Sequence, residues 1–391
     1  MGQAVSTTVC LAPAHTIGYP NGGGHLWEYL NWALALRGVG CRVIWLEGID
    51  SERDNSTARR RRWRGGDVRT CITTLKARLE AYGLTDSLAL YSMDGGTLSA
   101  DLLEGCLDLD AAADAELLLT LWHSLPEHVV SRFRRTALVD TDPGLLQVWM
   151  TTGDIHPARY DIYFTVGETV GTPDARFPDC GLRWHYTPTA VFLPAWPMTP
   201  ASADAPYTTV THWWGGSFEF QGTTFSNDKG AAFLEYADLP SRTTANLELA
   251  VCLGDRQDEL RARLDPLGWG VREAWDVTAT PDMYRAYIQR SKGEFSCVKP
   301  YCPQFVNSWI SNRTVSYLAS GKPVVVQHTG PSRFLPAAEG IFRFRCMDEA
   351  VRALNAVEAD YERHCRSARA LAEEYFDGCR VVRSVLDRAL A

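Results

Sequence analysis

The chain has 391 residues, 46% hydrophobic and 22% charged, which is enough for two buried cores rather than one. Its net charge of −8 argues against a nucleic-acid binder, which needs basic surface to displace counterions. No apolar run approaches the roughly 20 residues that span a bilayer, and the start lacks the basic-then-apolar pattern of a signal peptide.

In chain order, residues 5–12 form a short apolar run that reads as a buried strand. A glycine-rich loop follows, from Tyr19 and Pro20 through Gly22, Gly23 and Gly24 to His25. Residues 26–37 have helical periodicity, with Leu26, Tyr29, Leu30, Ala33 and Leu36 on one face, and Gly38 and Gly40 stop them. Residues 41–46 read as the next strand, so the chain opens like a doubly wound parallel sheet. Residues 51–66 are polar and carry Arg59 to Arg62 and Arg64: either a solvated loop or a basic lip over an anion. Strands are expected at 117–122, 136–139 and 161–166, the second running into Asp140-Thr141-Asp142-Pro143-Gly144.

Between 187 and 206 the prolines cluster, and the domain boundary is placed there. A second alternating pattern then begins. Strands are expected at 207–212, 247–253, 270–272, 294–298 and 323–327, and residues 347–391 read as nearly all helical. The first of these strands leads into Trp213, Trp214, Gly215 and Gly216. The 11 cysteines are scattered with no CxxC pair, so a reduced, cytoplasmic chain is expected and no zinc site. The 13 tryptophans read as core packing or as walls for ring-shaped ligands.

The stretch 291–336 carries the most chemistry. It reads as strand, loop, helix, strand, loop, with Ser311 or Asn312 capping a helix that ends at Gly321. A helix start offers unpaired N–H groups and a positive dipole end, which suits a diphosphate. Lys299 and Arg313 would add charge beside it. An ordinary capped helix with surface charges is the plainer alternative.

Residues 318–325 resemble the A-S-G-K-P-V-V stretch of GT-B glycosyltransferases. Residues 314–336 and 361–376, with the 19–25 and 140–144 loops, resemble a bacterial group within them. Asn312 and His328 stand where that group has Asp. The Glu-x7-Glu motif of retaining family 4 enzymes is absent, its positions being Ser308 and Ser316. The resemblance implies two Rossmann-like domains facing a cleft. Residues 1–190 would bind the acceptor and 205–375 a nucleotide-sugar, and a helix at 376–391 would pack back toward the first domain. It implies no cofactor beyond a nucleotide-diphosphate sugar as co-substrate. A small-molecule acceptor follows, a natural product being one candidate, and the chain would act as a monomer or homodimer.

In that reading the donor-binding residues are Trp214, Gly215, Gly216, Trp275, Lys299, Ser311, Asn312, Arg313, Thr314, Gln327, His328, Thr329 and Gly330. Trp275 would wall the base, and 327–330 would read sugar hydroxyls or the diphosphate. Gly22, Gly23 and Gly24 form the acceptor-side loop. An inverting, metal-independent transfer needs a base, assigned to His25, with Asp142 orienting it or replacing it and His15 as a third candidate. His212 would line the donor pocket. Asp140 and Asp142 also match a D-x-D metal motif, but so do Asp108 and Asp110, and a GT-B enzyme needs no metal. A sugar-nucleotide epimerase and a silent sugar-nucleotide-binding subunit are the alternatives.

Overall fold

The computed structural model describes residues 7–50, 67–252, 257–336 and 338–391. The basic stretch at 51–66 and the start of the first expected strand lie outside these residues. The chain divides into two compact units. The first takes the described residues up to Val166, with Asp179–Thr187 and Gly378–Ala391; the second takes Gly167–Pro178 and Pro188–Asp377.

The first unit is built on β1 (Thr8–Ala12), β2 (Arg42–Ile49), β3 (Leu88–Ser92), β4 (Leu117–Thr120), β5 (Thr136–Asp140), β6 (Ile162–Thr165) and β7 (Trp184–Tyr186). They form one parallel sheet in the order β3-β2-β1-β4-β5-β6-β7. Parallel strands are covered on both faces, which is why they read as continuous apolar runs rather than alternating ones. Cys10, Ile44, Leu118 and Leu138 meet in its core.

The helix Gly23–Gly38 departs from the one-faced pattern expected of it. Residues 26, 27 and 29–36 are all buried, leaving Glu28 as the partly exposed break. The cause is a second cover, since the last helix, Gly378–Ala389, packs against it. Val381, Val382, Val385 and Ala389 are the buried side of that last helix.

The second unit contains β8 (Tyr207–His212), a hairpin of β9 (Ser217–Phe220) and β10 (Thr223–Ser226), β11 (Leu247–Cys252), β12 (Trp269–Glu273), β13 (Gly293–Ser296), β14 (Val324–Gln327), β15 (Ala338–Glu339) and β16 (Ile341–Phe344). Apart from the hairpin they form a sheet in the order β12-β11-β8-β13-β14-β16-β15, parallel except for the short edge strand β15. Leu249, Phe295, Val325 and Phe344 centre its core. The expected helical tail is three helices, Met347–Ala359, Tyr361–Tyr375 and Gly378–Ala389.

Both sheets reverse strand order once, at β1/β4 and at β8/β13. In open α/β sheets ligands bind beyond the carboxyl ends of the strands at such a reversal.

Candidate active-site surfaces

At the β1/β4 reversal of the first unit, the loop after β1 carries His15 and the loop after β4 carries Trp122. Their rings lie 4.3 Å apart. The loop after β1 makes a 3-10 turn, Thr16–Gly18, held from beneath by Glu47 of β2. Glu47 is buried and accepts from the Thr16 hydroxyl, the Trp45 indole N–H (2.9 Å) and the Ile17 N–H (3.4 Å). Burial pushes its carboxyl up to about 7, against the pull of those bonds.

His25 sits in the first turn of the Gly23–Gly38 helix, its Nε2 2.7 Å from the Ala14 carbonyl oxygen. A carbonyl only accepts, so Nε2 carries the hydrogen and Nδ1 is the basic nitrogen of the neutral ring. Tyr19 and Tyr29 flank it edge-on at 5.1 and 5.2 Å. Gly22 precedes the helix as its cap, Gly23 opens it and Gly24 stands next to His25.

The two carboxylates of the D-x-D stretch have different surroundings. Asp140 is buried and accepts from the Asp142 N–H (3.0 Å), the Gln147 amide (2.8 Å) and the Thr165 hydroxyl (2.9 Å). Burial raises its pKa to about 6. Those bonds tie β5 to β6 and to the following helix, so Asp140 works as a brace. Asp142 stands nearer the surface. His123, after β4, lies in its field; desolvation lowers the His123 pKa and Asp142 opposes the shift. Neither Trp122 nor His123 was singled out from sequence, because only the strand order puts their loop beside the loop after β1.

In the second unit, a recess lies where β13 ends and the helix Asn312–Ala319 begins. Ser311, Arg313, Thr314 and Gln327 line it, joined by Lys229, Ser296 and Trp309. Ser311 is the cap, its Oγ accepting from the Thr314 N–H at 3.1 Å. Gln327 accepts from the Val298 N–H at 3.1 Å, stitching the ends of β14 and β13 together. The recess has a volume of about 10 Å³, space for a single oxygen-sized group.

Lys229 opens the helix Lys229–Leu234, and Lys299 lies 5.6 Å over the Tyr301 ring. Crowding by protein and the charges of both lysines push His212 below the ordinary histidine range. Lys229 had no visible sequence signal, since it sits on a different element from the 291–336 stretch.

Arg313 lines the recess while its guanidinium is largely spent inward. It donates to the Glu294 carboxylate (2.6 Å), the Ser296 hydroxyl (2.5 Å) and the Val210 carbonyl (2.9 Å). Glu294 is fully buried, and its other oxygen has no hydrogen-bond partner. The Asn312 side-chain oxygen is likewise buried without a partner.

Beside the recess, two segments, one at Ser308 and Trp309 and one at Glu168, lock the 328–333 loop. Thr329 accepts at its carbonyl from the Ser308 N–H (3.1 Å) and donates its hydroxyl to Trp309 (2.9 Å). The Ser308 hydroxyl donates to the Pro331 carbonyl at 2.5 Å. Glu168, buried, accepts from the Ser332 hydroxyl (2.7 Å) and from the Arg333 N–H (2.6 Å). Val306 and Ser308 have φ of 58° and 54°, a strained region for a β-branched residue in particular. At Gly330 a side chain would lie 2.4 Å from the Ser308 Oγ.

His328 has Gly330 N–H 3.1 Å from Nδ1 and an Arg345 N–H group 2.8 Å from Nε2. Desolvation, Arg345 and Arg343 lower its pKa to about 4, so it is neutral. A neutral ring has one lone pair, so it accepts only one of these two donors at a time.

Trp214, Gly215, Gly216 and Trp275 do not line the recess. Trp214 is exposed, and Gly215 passes so close to Asn227 that a side chain would strike its carbonyl oxygen at 1.9 Å. Trp275 is half-buried against the cluster around Ala250 and Tyr287. Among the described residues no group of three or more His, Cys, Asp or Glu is arranged as a metal site, and no helix is long and apolar enough to cross a membrane.

No family model and no curated protein matches the chain. Solved structures do. HepE from Anabaena, in complex with UDP-glucose, is 12% identical, with TM-score 0.54 over 97% of this chain and 98% of that one. Sucrose-phosphate synthase from Thermosynechococcus elongatus is 13% identical, with TM-score 0.54 over 98% of each chain. The pneumococcal O-GlcNAc transferase GtfA, in complex with UDP and GlcNAc, is 8% identical, with TM-score 0.57 over 99% of each. At such identities the likeness is one of architecture, and by it the chain has the GT-B glycosyltransferase fold.

Proposed function

We propose that this chain is a glycosyltransferase that moves a sugar from a uridine-diphosphate sugar to a small acceptor, without a metal and with inversion. The observation that carries the reading is the recess at the start of the Asn312–Ala319 helix, at the strand-order reversal of the second sheet, with Lys229 in its wall. Departure of a nucleoside diphosphate builds negative charge on its phosphates. A helix N-terminus with two lysines at hand stabilises that charge as a divalent ion would. The recess takes one phosphoryl oxygen, and the rest of the donor lies outside it. The bound UDP of the HepE and GtfA structures supports the choice of nucleotide.

Inversion needs one base for the acceptor hydroxyl. His25, with Nδ1 as its basic nitrogen, takes that role, and Asp142 is the second candidate.

The test is calorimetric titration with UDP, followed by incubation with UDP-glucose in excess EDTA. Micromolar-range UDP binding and slow release of UDP and glucose are expected. Absence of binding to UDP and to every other nucleoside diphosphate would sink the reading, epimer formation would replace it with an epimerase, and a strict need for Mg²⁺ or Mn²⁺ would remove its metal independence.

A further inference from the structure

A second recess in the same unit shares no lining residue with the one at the helix start at Asn312. It has a volume of about 290 Å³ and is bordered by Arg343, Arg345 and Arg352, with Phe342 and Ala353 giving it an apolar wall. Three arginines line it in a chain whose net charge is −8. Among the described residues none of the three lies within salt-bridge distance of a carboxylate. The carboxylate at the rim, Glu349, accepts from the Arg345 backbone N–H at 2.7 Å, so it caps the chain rather than a guanidinium. Arg343 reaches the Gly330 carbonyl at 3.2 Å, and Arg345 reaches the neutral ring of His328. Neither partner carries a negative charge.

We propose that this recess binds a small phosphate monoester, separate from the nucleotide of the donor. Clustered like charges repel unless an anion joins them, and arginine forks match the oxygens of a phosphate two at a time. The apolar wall and the volume suit a compact body attached to that phosphate, near the lower end of small-molecule pockets. Desolvation first and Arg345 second lower the Arg343 pKa, while the Glu168 carboxylate opposes the shift. Occupancy would draw Arg345 from His328 and leave the ring to accept from Gly330 alone. Its bearing on donor binding rests on the reading of the 328–330 loop given above; the binding itself does not.

The probe is inorganic phosphate, titrated calorimetrically at constant ionic strength into the full chain, alone and with saturating UDP. Saturable binding that UDP leaves in place is expected. Arg352→Glu, on the exposed side of the Met347–Ala359 helix, should weaken phosphate binding at least tenfold and keep UDP affinity within twofold. The proposal is overturned if phosphate does not saturate, if UDP displaces it, or if Arg352→Glu binds it as tightly as the parent. Arg352→Gln is the second variant should the first melt early. Failure of UDP to bind would count against the donor reading alone, because the phosphate titration is read independently.

Discussion

Arg313 and Glu294 show how a residue expected at a ligand becomes part of the scaffold. Removing the guanidinium by Arg313→Ala strands a fully buried carboxylate whose second oxygen already lacks a partner. A cost of about 3–5 kcal/mol is expected, read as a lower melting temperature, and the change Arg313→Ala with Glu294→Leu should recover part of it. An unshifted melt for Arg313→Ala would mean that the pair does not hold the sheet. Glu47 gives a pH signature. Its folded pKa of about 7 lies above the ordinary 4.5, so the folded chain holds that proton where the unfolded chain releases it. The corresponding stability is present below about pH 4.5 and is lost as pH rises toward 7, a swing on the order of 3 kcal/mol. Glu47→Gln keeps an acceptor for Thr16 and Trp45 and should flatten that slope in denaturant titrations between pH 5 and 8. An unchanged slope would assign it to other groups. Sequence marked Arg313 because an arginine after a helix cap is conspicuous, but it passed over Glu47, since a lone acid inside a strand has no local signature of burial.

At the scale of elements, the 328–333 loop is shaped by contacts from outside its own stretch. Glu168 lies 160 residues and more away in sequence and fastens Ser332 and Arg333. Glu168→Ala removes three hydrogen bonds of that anchor, an effect of about 1–3 kcal/mol. If the loop contacts the donor, the donor KM should rise about tenfold while kcat changes less. A lowered melting temperature with an unaltered KM would restrict Glu168 to the fold. The helix Asn312–Ala319 was legible in advance because its cap and its terminating glycine are local codes: Ser311 accepts from Thr314, and Gly321 has φ of 70°. The short strands β7 and β15 and the β9/β10 hairpin were not, because two to four residues carry too little pattern to outweigh their surroundings.

For the whole molecule, the last helix is a structural part of the first unit. Ending the chain after Asp377 would expose the surface under Val381, Val382 and Val385, a loss of roughly 5 kcal/mol of apolar burial. The truncated chain should melt several degrees lower, and Val382→Asp should reproduce much of that. Equal melting would show that the Gly23–Gly38 helix keeps its cover without it. The sequence by itself determined the parallel α/β character, the two-part organisation in outline and the capped helix beside the recess. Apolar runs, glycine stops and serine caps act within a few residues, so they can be read in line. The tertiary structure alone decided the strand order, and with it the meeting of His15 with Trp122 and of Lys229 with the 296–314 segment. It also turned the Gly23–Gly38 helix into one buried all round and committed Arg313 to Glu294. Each of these depends on contacts between distant segments, whose energy is set by what burial brings together and leaves no trace in the local pattern.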